Sequence, residues 1–193
     1  MNLRLPAAVF AVVCGASMLL SGCVPLVIAG AAGGAALVAS DRRSAGVQLD
    51  DESIELKIMN NIGAGYGDRV HVNATSYNGV VLLSGEVPTQ DLVGQIVEIA
   101  RTTPKVRRVD NELAVAPVSS IDTRTNDSYI TSKVKARFVE ANKFAPNHVK
   151  VVTEREVVYL MGLVKRAEAE TAAQLAATTS GVARVVKLFE YID

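Results

Sequence analysis

The sequence predicts an α+β fold built from two tandem copies of a small αββαβ domain, over residues 46–117 and 124–193. One pattern occurs twice in the 193 residues, at an offset of 76–77 positions. Each copy opens with apolar residues at helical spacing and continues with short apolar runs, which are typical of strands. We therefore expect each domain to hold a mixed three-stranded sheet with two helices on one face.

The repeat is visible at four places in the chain. The matching segments are Asp51–Ile54 with Asp127–Ile130, His71-Val72 with His148-Val149, Val80–Gly85 with Val157–Gly162, and Val106–Val109 with Val182–Val185. Two domains of about 70 residues lie near the lower size limit for an independent core. Each is therefore expected to bury a modest share of its surface.

A helix is predicted at the start of each domain. The apolar residues that recur every four positions are Ile54, Ile58 and Ile62 in the first copy, and Ile130, Val134 and Phe138 in the second. Asp51 and either Asn126 or Asp127 are the predicted N-caps. The glycine-rich run 63–67 is interpreted as a loop that follows the first helix.

A β-hairpin is predicted after each opening helix. Asn78-Gly79 strongly favours a type I′ turn, which needs positive φ at both central residues. The second copy has Arg155-Glu156 there, a weaker turn signal. Each domain then has a second predicted helix, at about Gln90–Thr102 in the first domain and Ala167–Thr179 in the second. A last strand is predicted at Val106–Val115 in the first and Val182–Ile192 in the second. A right-handed crossover through that helix makes the second and third strands parallel.

The first 22 residues are predicted to be a secretory signal peptide, with Arg4 before an apolar run. Leu20-Ser21-Gly22-Cys23 resembles the bacterial lipobox, which predicts diacylglycerol and an N-acyl chain on Cys23. The alternative is an uncleaved membrane helix with a chance cysteine. Each acyl chain would contribute about 0.8 kcal/mol per buried CH₂ to anchoring. Cys14 would leave with the signal peptide, so no disulfide is expected.

The segment after the cysteine bears on location. Val24 stands where, in enteric-type bacteria, an Asp favours retention in the inner membrane, so we expect a lipid anchor in the outer membrane that faces the periplasm. Residues 23–45 are interpreted as the lipidated cysteine and an Ala/Gly-rich tether. The alternative, a membrane helix, is disfavoured because the apolar run 24–38 is shorter than the roughly 20 residues that a span needs.

Charge divides the two domains. The 20 basic and 20 acidic residues cancel, which argues against a nucleic-acid-binding protein. Residues 46–117 hold 6 basic and 10 acidic residues, net −4, whereas residues 118–193 hold 11 and 9, net +2. The first opening helix carries −3, and residues 128–140 of the second carry +2. An anionic surface would therefore repel the first helix and attract the second.

Three features of the chain resemble the BON-domain family. They are the two V-V-x-L-x-G segments that end at Gly85 and Gly162, the segments that begin at Val106 and Val182, and the stretch Asn126–Val134. Together with the lipobox, the chain resembles the dual-BON outer-membrane lipoproteins. The resemblance implies a role in envelope integrity through anionic phospholipid, which is bound by the first helix of the second domain. Two weak membrane attachments in one chain would concentrate the protein where anionic lipid is enriched, such as division sites. In close relatives Trp usually stands where this chain has Tyr129.

The predicted phospholipid-contact residues lie on that helix: Tyr129, Ser132, Lys133, Ala136 and Arg137. Tyr129 is one residue, about 100°, away from the apolar stripe. An aromatic ring with a polar tip beside basic residues suits a lipid headgroup layer. The alternative is that Tyr129 packs on the neighbouring domain while the basic residues form a solvated face.

No catalytic or metal-binding residues are predicted. His71 and His148 hold equivalent positions, which indicates a repeated structural role, and they lack further His or Cys ligands for zinc. Asp110 and Glu112 lack a convergent acid. We expect a protein that is not an enzyme and that needs no cofactor beyond the lipid on Cys23, with no small-molecule substrate. The alternative function is a periplasmic adaptor for wall-remodelling or outer-membrane assembly proteins.

Overall fold

The structure, a computed structural model, describes residues 41–193. The first domain contains helix α1 (Ala45–Tyr66), strands β1 (His71–Tyr77) and β2 (Val80–Val87), helix α2 (Gln90–Thr102) and strand β3 (Arg108–Val115). The second contains α3 (Ile121–Ala141), β4 (Lys150–Glu154), β5 (Val157–Val164), α4 (Arg166–Ala177) and β6 (Arg184–Tyr191). A single 3₁₀ turn precedes β1 and another precedes β4.

The predicted α+β fold and αββαβ order are confirmed. In each sheet the middle strand pairs antiparallel with the strand before it and parallel with the strand after it. Both helices of a domain pack on one sheet face, where the predicted apolar stripes are buried. The strand β2 is buried along its whole length, which is expected for a central strand that is covered on both faces.

The predicted N-caps are wrong. Helix α1 begins after Ser44 and α3 after Ser120, and each serine accepts a hydrogen bond from the amide three residues later. Asp51 and Asp127 lie inside their helices, buried, and accept hydrogen bonds from the backbone of the hairpin turn that packs there. The aspartates are therefore clamps for the turns, a role that helix spacing alone does not reveal.

The predicted loop at residues 63–67 is also wrong for most of its length. Helix α1 continues through Tyr66 and ends at Gly67, which has φ +53°. Tyr66 packs against the first core, and its hydroxyl donates to Oε1 of Gln95 at 2.9 Å. These contacts extend the helix through two glycines that are unfavourable in isolation.

The glycine that ends each V-V-x-L-x-G segment is required by close backbone packing. A Cβ atom at Gly85 would lie 2.1 Å from the carbonyl oxygen of His71, and one at Gly162 would lie 2.2 Å from that of His148. Gly85 also has φ +117°, a conformation that favours glycine. The two hairpins therefore bring their strands together at the same point.

The two sheets pack against each other through the faces that carry no helix. A third apolar cluster is formed there by Tyr77, Val80, Leu82, Tyr159 and Met161, with partly buried residues of β4, β5 and β6. Ion pairs at the edges join the domains, among them Lys150–Glu55 at 2.7 Å and Arg107–Glu190 at 3.1 Å. Each sheet is thus covered by its own helices on one face and by the other domain on the opposite face.

Candidate functional site

The outer face of α3 carries the residues that the sequence predicts to contact phospholipid. Tyr129 is 63% exposed, and Ser132 and Ala136 are exposed beside it, while Lys133 and Arg137 are half-buried. The alternative in which Tyr129 packs on the first domain does not hold, because its ring projects into solvent. The helix therefore presents an aromatic side chain next to two small residues.

Lys133 is held beside the Tyr129 ring. Its Nζ atom lies 4.6 Å from the ring centroid, in cation–π geometry. The same ammonium group donates a hydrogen bond to the carbonyl oxygen of Ser180. Lys133 therefore places its ammonium group over the tyrosine ring while it ties α3 to the loop after α4.

Arg137 has a structural task. Its Nη1 atom donates to the carbonyl oxygen of Leu175 at 2.7 Å and contacts the hydroxyls of Thr178 and Thr179 at 2.8 and 3.1 Å. These groups belong to the C-terminal end of α4, where cations are favourable. Arg137 adds to the local positive potential, but its guanidinium group is directed at α4 rather than away from the protein.

Two further apolar residues extend this surface and were not predicted. Ile121 is 77% exposed and Val139 is 64% exposed. They lie 18 residues apart, which is five helical turns, so they project in the same direction. The sequence could have revealed them, because at 100° per residue both positions lie about 80° around the helix from Tyr129, on the side away from the buried stripe. Tyr129, Ala136, Val139 and Ile121 thus form a broken apolar strip along α3.

Helix α1 presents a different exposed surface. Leu49 and Leu56 are 66% and 64% exposed, seven residues apart on one side of the helix, and Met59 is 37% exposed. Acidic side chains flank this strip, and two of them are paired, Asp50 with Lys105 at 2.5 Å and Glu55 with Lys150 at 2.7 Å. The first domain therefore also displays an apolar strip, in an acidic setting.

The segment before α1 is bound to the second domain. Arg42 makes a two-point ion pair with Glu168, with N–O distances of 2.7 and 2.8 Å, and also donates to the carbonyl oxygen of Leu163. The guanidinium group of Arg43 stacks 3.8 Å from the Tyr77 ring and pairs with Asp51. The segment that leads into α1 therefore contacts both domains.

The predictions for the signal peptide, the lipidated Cys23 and most of the tether fall outside the described residues. Within residues 41–193, no helix is both long enough and apolar enough to cross a membrane.

Comparison with known proteins identifies the two repeats. The model of the BON domain family matches residues 50–117 and 126–193. The chain is 40% identical over 190 residues to the outer membrane lipoprotein DolP of Haemophilus influenzae, covering 97% of this chain and 98% of the relative. This similarity supports an outer-membrane lipoprotein with two BON domains.

Two further relatives are similar over a large part of their length. The 21 kDa hemolysin of Actinobacillus pleuropneumoniae is 32% identical, over 79% of this chain and 80% of the relative. The osmotically-inducible protein Y of Escherichia coli is 30% identical, over 77% of this chain and 76% of the relative. Both are BON-domain proteins, like the lipoprotein of Haemophilus influenzae.

Proposed function

The chain belongs to the BON-domain family, and on that premise we propose that it is a lipid-anchored outer-membrane protein that faces the periplasm, binds anionic phospholipid through its second domain and supports envelope integrity. The observation that supports this most directly is the exposed Tyr129 ring with the Lys133 ammonium group 4.6 Å away. Such a pair suits the lipid headgroup layer, since the ring is apolar and the cation attracts phosphate.

The exposed apolar strip explains how binding can exceed a purely electrostatic contact. Tyr129 and Val139 can enter the headgroup region, while the basic residues of α3 each contribute about 1 kcal/mol near an anionic surface. Because Lys133 and Arg137 are held by the α4 end, their charge is fixed in place before any lipid binds. Preorganised charge lowers the entropic cost of binding.

The lipid anchor proposed at Cys23 complements this weak contact. A protein that is already held in the membrane meets its second lipid site at high effective concentration. An α3 surface of low intrinsic affinity is then sufficient to orient the domains on the membrane and to favour regions rich in anionic lipid, such as division sites.

Vesicle flotation tests the proposal. Residues 40–193 form one compact unit with their own cores, so this part of the chain, which lacks Cys23, is mixed with phosphatidylglycerol-containing vesicles. Tyr129→Ala combined with Lys133→Glu should abolish flotation, and binding by the unaltered protein should weaken with salt. Thermal melting must show that the variant remains folded, because Lys133 also contacts Ser180.

A matched control lies on the opening helix of the first domain, where Lys57 is the counterpart of Lys133 and Leu56 is an exposed apolar residue beside it. Leu56→Ala combined with Lys57→Glu removes an exposed apolar side chain and a basic one from α1, and should leave flotation unchanged. Equal binding by the α3 variant and the unaltered protein would contradict the assignment of α3 as the lipid contact.

One observation favours the alternative of a protein-binding adaptor. Leu49, Leu56 and Met59 form an exposed apolar strip among acidic residues, and an anionic membrane would repel that surface. A periplasmic protein that is crosslinked by the unaltered chain but not by Leu49→Ala with Leu56→Ala would support an adaptor role for the first domain. NMR shifts on micelle addition that are confined to 128–140 would support lipid binding by the second.

A further inference from the structure

A buried cluster of one histidine and two glutamates joins the two domains. His71 begins β1, Glu86 is its register partner on β2, and Glu154 ends β4 of the second domain. The Nδ1 atom of His71 lies 2.9 Å from Oε2 of Glu86 and 3.6 Å from Oε1 of Glu154. The three potential ligand atoms all lie within 4.8 Å of one another.

The cluster itself holds two carboxylates and one basic side chain, His71, while Arg124 lines the adjoining cavity. Both carboxylates are almost fully buried, Glu86 at 1% exposure and Glu154 at 5%, and buried charges are costly unless they are paired or bind a metal. The single imidazole of His71 cannot neutralise two carboxylates.

One carboxylate oxygen has no partner among residues 41–193. Oε1 of Glu86 is buried and accepts no hydrogen bond from any of these residues, whereas Oε2 accepts from the amide of Ser119 at 3.2 Å and contacts His71. Glu154 is held from the other side by Nδ2 of Asn73, at 3.0 Å from its Oε2. The partners that are present therefore orient both carboxylates and leave Oε1 of Glu86 for a further ligand.

The spacing suits a small tetrahedral ion. Ligands at 2.0–2.2 Å from zinc in tetrahedral arrangement are separated by about 3.3–3.6 Å. Nδ1 of His71 is already 3.6 Å from Oε1 of Glu154, and its 2.9 Å contact with Glu86 would lengthen by a few tenths of an ångström when an ion binds. A cavity of ≈ 370 Å³ adjoins the cluster, and its lining includes His71, Asn73 and Glu154 together with the charged residues Arg124 and Asp127. That cavity offers a route for an ion and room for a water molecule as the fourth ligand.

We propose that His71, Glu86 and Glu154 form a binding site for a divalent transition-metal ion, with Zn²⁺ as the test case. One imidazole and two carboxylates suit zinc better than magnesium or calcium, which prefer oxygen ligands alone. The ion would neutralise the buried carboxylates and would be held by both domains, since Glu154 comes from the second. Bound metal would therefore stabilise the sheet-to-sheet interface.

Calorimetric titration of metal-free 40–193 with ZnCl₂ tests the site. One Zn²⁺ per chain is expected for the unaltered protein, and Glu86→Gln, Glu154→Gln and His71→Ala should each weaken binding at least tenfold. His148→Ala is the matched control and should bind normally, because at the repeat offset of 77 the residue that matches Glu86 is Leu163, not a carboxylate. Absence of binding, or equal binding by all variants, would overturn the proposal.

A second measurement does not depend on variants at the cluster. The chain has two histidines, so imidazole NMR signals can be assigned with the single control His148→Gln. Addition of Zn²⁺ should shift the His71 resonances and raise the melting temperature, whereas Mg²⁺ should do neither. Shifts at His148 alone, or at neither histidine, would contradict a zinc site at His71.

Discussion

Helix α1 of the first domain and helix α3 of the second bury aliphatic or aromatic side chains at the same three positions of the repeat. Their outer faces differ. At the offset of 76 residues, Tyr129 stands where α1 has Ser53, and Val139 where α1 has Gly63. The lysine pair Lys57 and Lys133 is shared, but α1 lies among acidic residues. The buried stripe sets the fold in both domains and leaves the outer face free to specialise.

The hairpins that follow these helices have the same turn conformation but different turn residues. Both turns have two consecutive positive φ angles, at Asn78-Gly79 and at Arg155-Glu156. Asn and Gly adopt this conformation readily, whereas Arg and Glu do so at a cost. The second domain therefore reaches the same turn with less suitable residues, and Asp127 accepts hydrogen bonds from the amides of both of them.

The largest expected effect comes from the glycine of each hairpin. Gly85→Ala should lower the free energy of unfolding by about 3–5 kcal/mol, from overpacking against the His71 carbonyl and an unfavourable positive φ. Gly162→Ala meets a similar carbonyl contact without that φ penalty, so about 1–3 kcal/mol is expected. Urea unfolding measures both, and a Gly162→Ala cost equal to or above that of Gly85→Ala would contradict this account.

The aspartate clamps should rank next. The Asp51 carboxylate accepts from the Ser76 hydroxyl at 2.6 Å and from the amides of Asn78 and Gly79 at 2.8 Å each, while Asp127 accepts from two amides. Asp51→Asn should cost about 2–3 kcal/mol, because the new NH₂ group cannot accept from these donors. Asp127→Asn should cost less in the same urea experiment. A negligible loss for both variants would show that the clamps do not stabilise the turns.

A stabilising change is expected at the second turn. Glu156→Gly removes a side chain from a residue with φ +62° and should raise the free energy of unfolding by about 1 kcal/mol. The control is Gly79→Glu at the matching position, which should destabilise by more, since a Cβ there would lie 3.0 Å from the Lys105 carbonyl. Thermal melting of the two variants tests the difference.

The smallest effect concerns the ion pair between the entry segment and α4. The hydrogen bonds from Arg42 hold the pKa of Glu168 below its ordinary value. A lowered carboxylate pKa favours the folded state above the ordinary value, and that contribution is lost as pH falls through the folded-state pKa. Arg42→Ala should therefore raise the Glu168 pKa in a carboxyl NMR titration and leave stability below that pKa unchanged. An unaltered Glu168 pKa would contradict the assignment.

Much of the fold followed from local pattern. The repeat, the buried stripes of α1 and α3, the Asn78-Gly79 turn and the parallel pairing of β2 with β3 were all predicted, because each depends on periodicity, turn chemistry or the handedness of a crossover. The position of Tyr129 on the outer face followed from helical geometry in the same way. These features are encoded by residues that lie close together in the chain.

The tertiary structure decided what depends on distant residues. Residues such as Leu82 and Tyr159 bind the two sheets to each other, and this pairing follows from the shapes of two surfaces, not from the spacing within either. Arg137 is drawn to the end of α4, 38 residues away, by carbonyl groups that its own helix does not contain. His71 meets Glu154 only because the domains pack sheet to sheet. The sequence thus determined two domains, and their packing determined which polar side chains meet between them.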